Sequence, residues 1–286
     1  MKARLIFIVA FVCYVLILPP FTTYLKQRPV VQKMGYLPEA KVLKFMVADH
    51  RNMVAEWAVL KVLFYYGGLM EGGNETQLFS VPPEYYSMFK TLQTALRLDP
   101  YNMDAYYFAQ AAFTWDVGRI KEVNNMLDYG MRYRTWDYQL PFYAGFNAAY
   151  FLKDFAVAAE YMKKAAQLSG DPLFTNLAGR FFYESGREDL GIIFIKSMEK
   201  GTRDRKVKKL LQMRIEALEA VHVIRTAVKG FASRYGRLPQ SVDELVQKGL
   251  LASVPVDPYG GKFFVTSDGA VESTSKLALG LRARTW

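Results

Sequence analysis

Cysteine and histidine are almost missing from this chain. Among 286 residues there is one cysteine, Cys13, and there are two histidines, His50 and His222. One cysteine excludes an intrachain disulfide and a cysteine-based metal site. Two histidines so far apart in sequence argue against a zinc site of the usual His/Cys type. Acidic residues are also scarce, 27 against 37 Lys and Arg, for a net charge of +10. That balance favours acidic partners, anionic lipid headgroups or simple solubility, and is silent on fold. No zinc spacing, RNP-type aromatic motif or DNA-reading helix pair accompanies it, so nucleic acid is not an expected partner. Catalytic constellations are lacking too. No Ser, Cys or Lys stands in a nucleophile-elbow context. Gly260-Gly261-Lys262 is too short for a phosphate loop and leads into a strand. His222 sits between Val221 and Val223 on a helix, and His50 follows Asp49 in a polar turn. Neither has a partner in sequence that would make it a general base. No enzyme activity, metal or cofactor is expected from these residues.

What is present is apolar. Hydrophobic residues make up 51% and aromatic residues 15%, enough for a buried core and too much for wholesale disorder. The N-terminus opens with Lys2 and Arg4, followed by fourteen apolar residues from Leu5 to Leu18, then Pro19-Pro20 and a softer tail to Leu25. From residue 4 to 25 a helix would reach roughly 31–33 Å at ~1.5 Å per residue, about one bilayer core. The charged start and apolar centre also suit a cleaved signal peptide. No convincing small-x-small cleavage site follows, however, and Phe11 and Val12 are too bulky for a lipoprotein box before Cys13. The favoured expectation is an uncleaved, single-pass signal anchor over residues 1–25. With so short an N-terminal flank, the body should cross to the periplasmic side of a bacterial inner membrane. Lys26, Arg28 and Lys33 weaken the charge contrast that sets orientation.

Residues 26–38 look like a linker ending at Pro38. From Glu39 to Tyr66 there is neither proline nor glycine, and Leu43, Val47, Val54, Trp57, Ala58 and Leu60 recur at roughly helical spacing. The stretch "GGLMEGGNETQLFSVPP", 67–83, is expected to be a loop because four glycines and two prolines interrupt the pattern. Helix should resume at Glu84 and run to Leu98. A period then emerges. Aligned on Gly118, Lys153 and Gly186, the preceding segments are "AYYFAQAAFTWDVG", "LPFYAGFNAAYFLK" and "LFTNLAGRFFYESG". The following segments are "RIKEVNNMLDYGMRY", "DFAVAAEYMKKAAQL" and "REDLGIIFIKSMEKG". The anchors lie 35 and 33 residues apart, and each unit should be a helix, a tight turn and a second helix.

These units resemble the tetratricopeptide repeat (TPR) over about residues 54–201. Phe142, Phe155, Ala158, Met162 and Ala165 fit its slots in unit two. Ala178, Gly179, Phe182, Gly186, Gly191 and Ile195 fit in unit three. Unit one offers Tyr107, Ala111, Gly118, Ile120, Val123, Leu127 and Gly130, and 84–100 matches a second helix through Met88, Leu92 and Ala95. In such repeats small residues admit close helix approach and large ones fill the gaps. The resemblance implies a concave groove lined by the first helix of each unit. Its positions would be Phe108, Trp115 and Asp116 from unit one, and Tyr143, Asn147, Tyr150 and Phe151 from unit two. Asn176, Arg180 and Tyr183 would come from unit three. Aromatics with Asn and Arg would suit an extended peptide or a partner helix. The competing expectation is that some of these aromatics pack against loop 67–83 or helix 204–235.

From Asp204 to Tyr235 one long helix should cap the repeats. Its start is basic, with Lys200, Arg203, Arg205, Lys206, Lys208, Lys209 and Arg214. That run is either a solvated helix face or a contact for anionic lipid or an acidic partner. The last segment, 236–286, holds a short helix with Ser241 as N-cap and Glu244 at N3. A hairpin should follow, turning at Ser267-Asp268-Gly269. Its "VPVDPYGG" run resembles the C-terminal part of type II secretion pseudopilins, a likeness limited to about 50 residues and read as a shared small module.

The expected fold is therefore all-α: a TPR-like helical solenoid over 39–203, an N-terminal transmembrane helix, and a small C-terminal helix-plus-β-hairpin module. The expected function is a membrane-anchored scaffold binding a protein partner in assembly of a bacterial envelope system such as a pilus, a secretion apparatus or cytochrome biogenesis. A structural subunit of such an assembly, or a docking subunit of an envelope enzyme, are the alternatives.

Overall fold

Five of the helices begin at a residue whose side chain caps them. Asn102, Asp154, Asp171, Asp204 and Ser241 each accept a hydrogen bond at a helix start, from the backbone N–H of Ala105, Val157, Leu173, Lys206 and Glu244. Such caps contribute about 0.5–2 kcal/mol each by satisfying donors that the helix leaves open. The computed structural model describes residues 2–27, 33–35, 37–71, 79 and 81–277. The chain is mostly helical. Helix α1 (Lys2–Gln27) is followed by α2 (Ala40–Val47), a 3-10 turn, α3 (Arg51–Glu71) and α4 (Tyr85–Leu98). Then come α5 (Met103–Phe108), α6 (Ile120–Met131), α7 (Gln139–Tyr150), α8 (Phe155–Ser169), α9 (Pro172–Glu184) and α10 (Glu188–Gly201). The long α11 (Arg205–Tyr235) and short α12 (Val242–Gln247) precede a two-stranded antiparallel hairpin, β1 (Phe263–Val265) and β2 (Val271–Ser273).

Consecutive helices pack in turn: α3 on α4, α6 on α7, α7 on α8, α8 on α9, α9 on α10 and α10 on α11. The alignment anchors Gly118, Lys153 and Gly186 all sit in the left-handed region, with φ of 68°, 55° and 71°. Lys153 adopts it despite its Cβ. Small residues set how closely the helices approach. A Cβ on Gly130 of α6 would fall 2.6 Å from Tyr106 Cζ of α5 and 2.9 Å from Leu140 Cδ1 of α7. One on Gly179 of α9 would fall 2.6 Å from Ile195 Cδ1 of α10. Tyr106, Phe113, Phe182 and Phe231 are among the largest fully buried side chains. Each such burial stabilises by about 1.5–3 kcal/mol.

Unit one differs from its expected phase. Tyr107 and Ala111 are exposed, while Tyr106, Ala109 and Ala112 are buried. A π-helical turn over Ala109–Phe113 lies before the Gly118 anchor, and its extra residue shifts the earlier positions relative to a regular helix counted back from that anchor. A second difference lies at the expected loop 67–83. Helix α3 runs on through Gly67 and Gly68 to Glu71. Of the rest of that loop, residues 72–78 and 80 fall outside the described residues. Two glycines cost a helix about 1 kcal/mol each, and the buried neighbours Tyr65 and Leu69 offset that by packing into the core.

Every side chain described from Ile6 to Tyr24 of α1 is exposed. Among the described residues, the one run long and apolar enough to cross a membrane is Ala40–Met70, of mean hydropathy 1.2, while Val9–Tyr24 is a shorter apolar helix. Ala40–Met70 is not one straight rod. Ala48 breaks it at φ 44°, and Ala55, Ala58, Val59, Val62, Tyr65 and Leu69 bury one face in the helical core.

Two substitutions separate backbone from packing. Gly118→Ala meets nothing within 4 Å, so its cost is the left-handed φ alone, about 1 kcal/mol. Gly130→Ala drives a methyl into the buried Tyr106 ring and should cost about 1–3 kcal/mol. Thermal unfolding should rank Gly130→Ala below Gly118→Ala.

Candidate partner-binding surface

Helix α5 does not stop at its π turn; it carries on to Trp115, while α7 ends at Tyr150. The two ends place their aromatics side by side. The Trp115 ring centroid lies 4.9 Å from Phe151 and 5.6 Å from Tyr150, and Phe146 stacks on Tyr150 at 5.3 Å. Trp115 is 56% and Tyr150 52% exposed, so this is an open shelf. Lys153 places its ammonium 5.4 Å from the Tyr150 ring. Further along the same two helices, Tyr107 faces Tyr143 at 6.4 Å. Burial, then the neighbouring Tyr107, pushes the Tyr143 phenol above its usual pKa, so it stays a neutral hydrogen-bonding group.

Beneath the shelf lies a network of amides. Gln110 Nε2 donates to Asn147 Oδ1 at 2.8 Å, and Asn147 Nδ2 donates to Gln110 Oε1 at 2.7 Å and to Asn124 Oδ1 at 2.8 Å. Asn124 Nδ2 in turn donates to the Ala144 carbonyl at 3.3 Å. Asn147 is 0% exposed. It therefore corrects one expectation: Asn147 is not a groove residue. It ties the π turn to α6 and α7. Phe108 is also withdrawn, held half-buried 5.3 Å from Tyr66, whose other neighbour is Phe79 from the connection before α4. The Tyr66 hydroxyl donates to the exposed Asp116 carboxylate. Burial and then that hydrogen bond hold the phenol protonated well above its usual range.

Unit three does not extend the shelf. Tyr183 is buried, donates its hydroxyl to the Val271 carbonyl of β2 at 2.9 Å, and lies 5.3 Å beneath the Arg225 guanidinium. Burial pushes its pKa up to about 12. Arg180 is exposed, 3.7 Å from Glu184, and the Asn176 side-chain oxygen is buried without a hydrogen-bond partner among the described residues. So the hairpin and α11 claim this end of the surface. The sequence missed Tyr107, assigned there to packing, together with Phe146 and Lys153. The signal for Phe146 and Tyr150 was available, since they are four residues apart on one helix face. Tyr107 required knowledge of the π turn.

The basic run divides. Lys200, Arg203, Arg205, Lys206, Lys208 and Lys209 are exposed, with Lys208 3.8 Å from Glu199. Arg214 is not part of that patch. It is buried, donates Nη1 to the Leu277 carbonyl at 2.7 Å, and stacks 5.2 Å over Tyr259. Its position one turn after Leu211 and one before Leu218 puts it on the inward stripe of α11. Asp257 is buried and accepts from Ser273, Ser275 and the Tyr259 N–H, whereas Asp268 accepts from Thr266 in the hairpin turn. No group of three or more potential metal ligands occurs among the described residues. His222 is exposed, 3.6 Å from Glu188, which Arg225 also pairs at 2.5 Å.

No family model, curated protein or solved structure matches the chain.

Replacing Asn147 with Leu strands Gln110 and Asn124 in the core. Each unsatisfied amide costs about 1–3 kcal/mol, so denaturant unfolding should register a loss of at least ~2 kcal/mol. A variant as stable as the parent would refute the network's structural role.

Proposed function

We propose that this chain is a membrane-anchored, tetratricopeptide-like helical-repeat scaffold that holds a protein partner on the Trp115–Tyr150 shelf. Its body would lie in the bacterial periplasm and serve assembly of an envelope system. The shelf carries this reading. Two large aromatics lie more than half exposed on helices tied together by a buried, hydrogen-bonded amide network, and exposed aromatics of this kind concentrate binding energy in protein interfaces. Aromatic contact area with a single cation, Lys153, suits an extended segment or helix bearing apolar anchors. Helix pairs joined by left-handed turns at Gly118, Lys153 and Gly186 support the repeat assignment.

Two features of α1 support the anchor. Its side chains from Ile6 to Tyr24 are exposed and mainly apolar where described. Its two threonine hydroxyls are satisfied within the helix, with Thr22 donating to the Leu18 carbonyl at 2.7 Å and Thr23 to the Pro19 carbonyl at 3.0 Å. Hydrocarbon demands such internal pairing. Lysine at the centre of a span costs about 2.5–3.5 kcal/mol, so Val12→Lys with Leu16→Lys should move the chain from the membrane pellet to the soluble fraction after carbonate extraction.

Trp115→Ala with Tyr150→Ala should remove co-purification of the partner while leaving the melting temperature close to the parent's. A loss of about 2 kcal/mol or more is expected, roughly 30-fold in Kd. Undiminished co-purification would count against the shelf.

A further inference from the structure

A cavity of about 530 Å³ opens between the segment leading into α2 and the outer face of α4. Lys33, Lys90 and Arg97 line it, together with Thr94, Glu39 and Glu84. A neighbouring cavity of about 370 Å³ shares Arg97 and adds Lys41 and Lys44. Five cations thus face two carboxylates across adjoining hollows. Among the described residues none of these cations is ion-paired; Lys90 only overhangs the Tyr86 ring at 5.7 Å. Unpaired cations gathered in a hollow raise the local potential for an anion.

The surroundings specify the anion further. On α2 the inward residues are Ala40 and Leu43. Its outward residues alternate charge with apolar bulk: Lys41, Val42, Lys44, Phe45 and Met46 are all exposed, Phe45 at 91%. On the other side of the cavity, Gly35 lies beside the Lys61 ammonium, which overhangs the exposed Trp57 ring at 5.5 Å. Lysine next to exposed Phe and Trp is the composition of a surface that rests in a headgroup layer. Reach agrees. Lys33 follows the end of α1 at Gln27 by six positions, at most about 20 Å of extended chain. If α1 spans the bilayer, this cleft cannot leave the membrane's vicinity.

We propose that the cleft between α2 and α4 binds the phosphate of an anionic phospholipid headgroup, with Phe45 and Met46 entering the acyl boundary beside it. Lys90 and Arg97 would contact the phosphate, and Lys41 and Lys44 the surrounding anionic surface. The proposal rests on the reading of α1 as an anchor. It makes the body a membrane-oriented platform rather than a freely tethered one.

The test uses the full chain in lipid nanodiscs. Cys13→Ser removes the single cysteine, and Phe45→Cys carries an environment-sensitive fluorophore. Discs of phosphatidylcholine alone are compared with discs containing phosphatidylglycerol. The emission should shift to the blue in the anionic discs, and the shift should vanish at high salt. It should be lost in Lys90→Gln with Arg97→Gln, and kept in Lys90→Arg. Both side chains are exposed, so melting curves of these variants should overlay the parent's. Inorganic phosphate added to neutral discs should produce no shift; if it does, the cleft is a phosphate site rather than a lipid site and the proposal fails. Equal emission in neutral and anionic discs overturns it too, as does a shift that survives Lys90→Gln with Arg97→Gln. Flotation with neutral vesicles reports on α1 separately. A chain that does not float overturns the anchor and the proposal with it. A chain that floats without the charge-dependent shift overturns the headgroup site alone.

Discussion

The arrangement of the central helices turns on one buried side chain, Asn147. Its amide exchanges two hydrogen bonds with Gln110 and donates to Asn124 as well, so three elements share one fully desolvated node. A polar group at that depth is costly unless every partner is in place. Registers that slide α5, α6 or α7 by a turn therefore lose several hydrogen bonds together. The node also explains the π turn. Gln110 sits within it, and the extra residue brings its side chain to Asn147 while rotating Trp115 out towards Tyr150. The open aromatic shelf is thus a consequence of a closed polar core below it.

Close approach at small residues supplies the second constraint. Gly130 receives the Tyr106 ring and the Leu140 side chain, and Gly179 receives Ile195. Hydrophobic bulk comes to these places from neighbouring helices rather than from the glycine's own element. The result is a chain of helices in which consecutive members pack on one another. The last pair is closed by α11, which extends beyond it to carry the C-terminal hairpin. Arg214 and Tyr183 make that closure specific through the Leu277 and Val271 carbonyls.

How much of this could be read from the sequence depended on the range of the interaction. Local signals were plain. The Ser241 N-cap, the turns at Gly118, Lys153 and Gly186, and the hairpin at Ser267-Asp268-Gly269 all depend on a few neighbouring residues. Helical phase was legible in units two and three, where spacing is regular, and illegible in unit one. There a π turn answers to Asn147, 37 residues away. Exposure of the site residues was legible only in part. Trp115 and Tyr150 stand in the open, yet Asn147, Phe108 and Tyr183 are drawn inward by partners distant in the chain. Arg214 misled in the same way: a charge inside a basic run looks solvated unless its place on the apolar stripe of α11 is given more weight than its neighbours. The run through Gly67 and Gly68 shows the converse, where tertiary packing of Tyr65 and Leu69 overrode weak local propensity.

The central claim is that the Trp115–Tyr150 shelf holds one partner segment. Site-specific photo-crosslinking in native membranes tests it most directly. A benzophenone side chain would replace Trp115 in one variant, Tyr150 in a second, and the exposed Lys121 of α6 in a third, with crosslinked peptides identified by mass spectrometry. The account predicts that positions 115 and 150 capture the same polypeptide within one continuous stretch, and that position 121 does not. Capture of unrelated peptides from 115 and 150, or equal capture from 121, would contradict it.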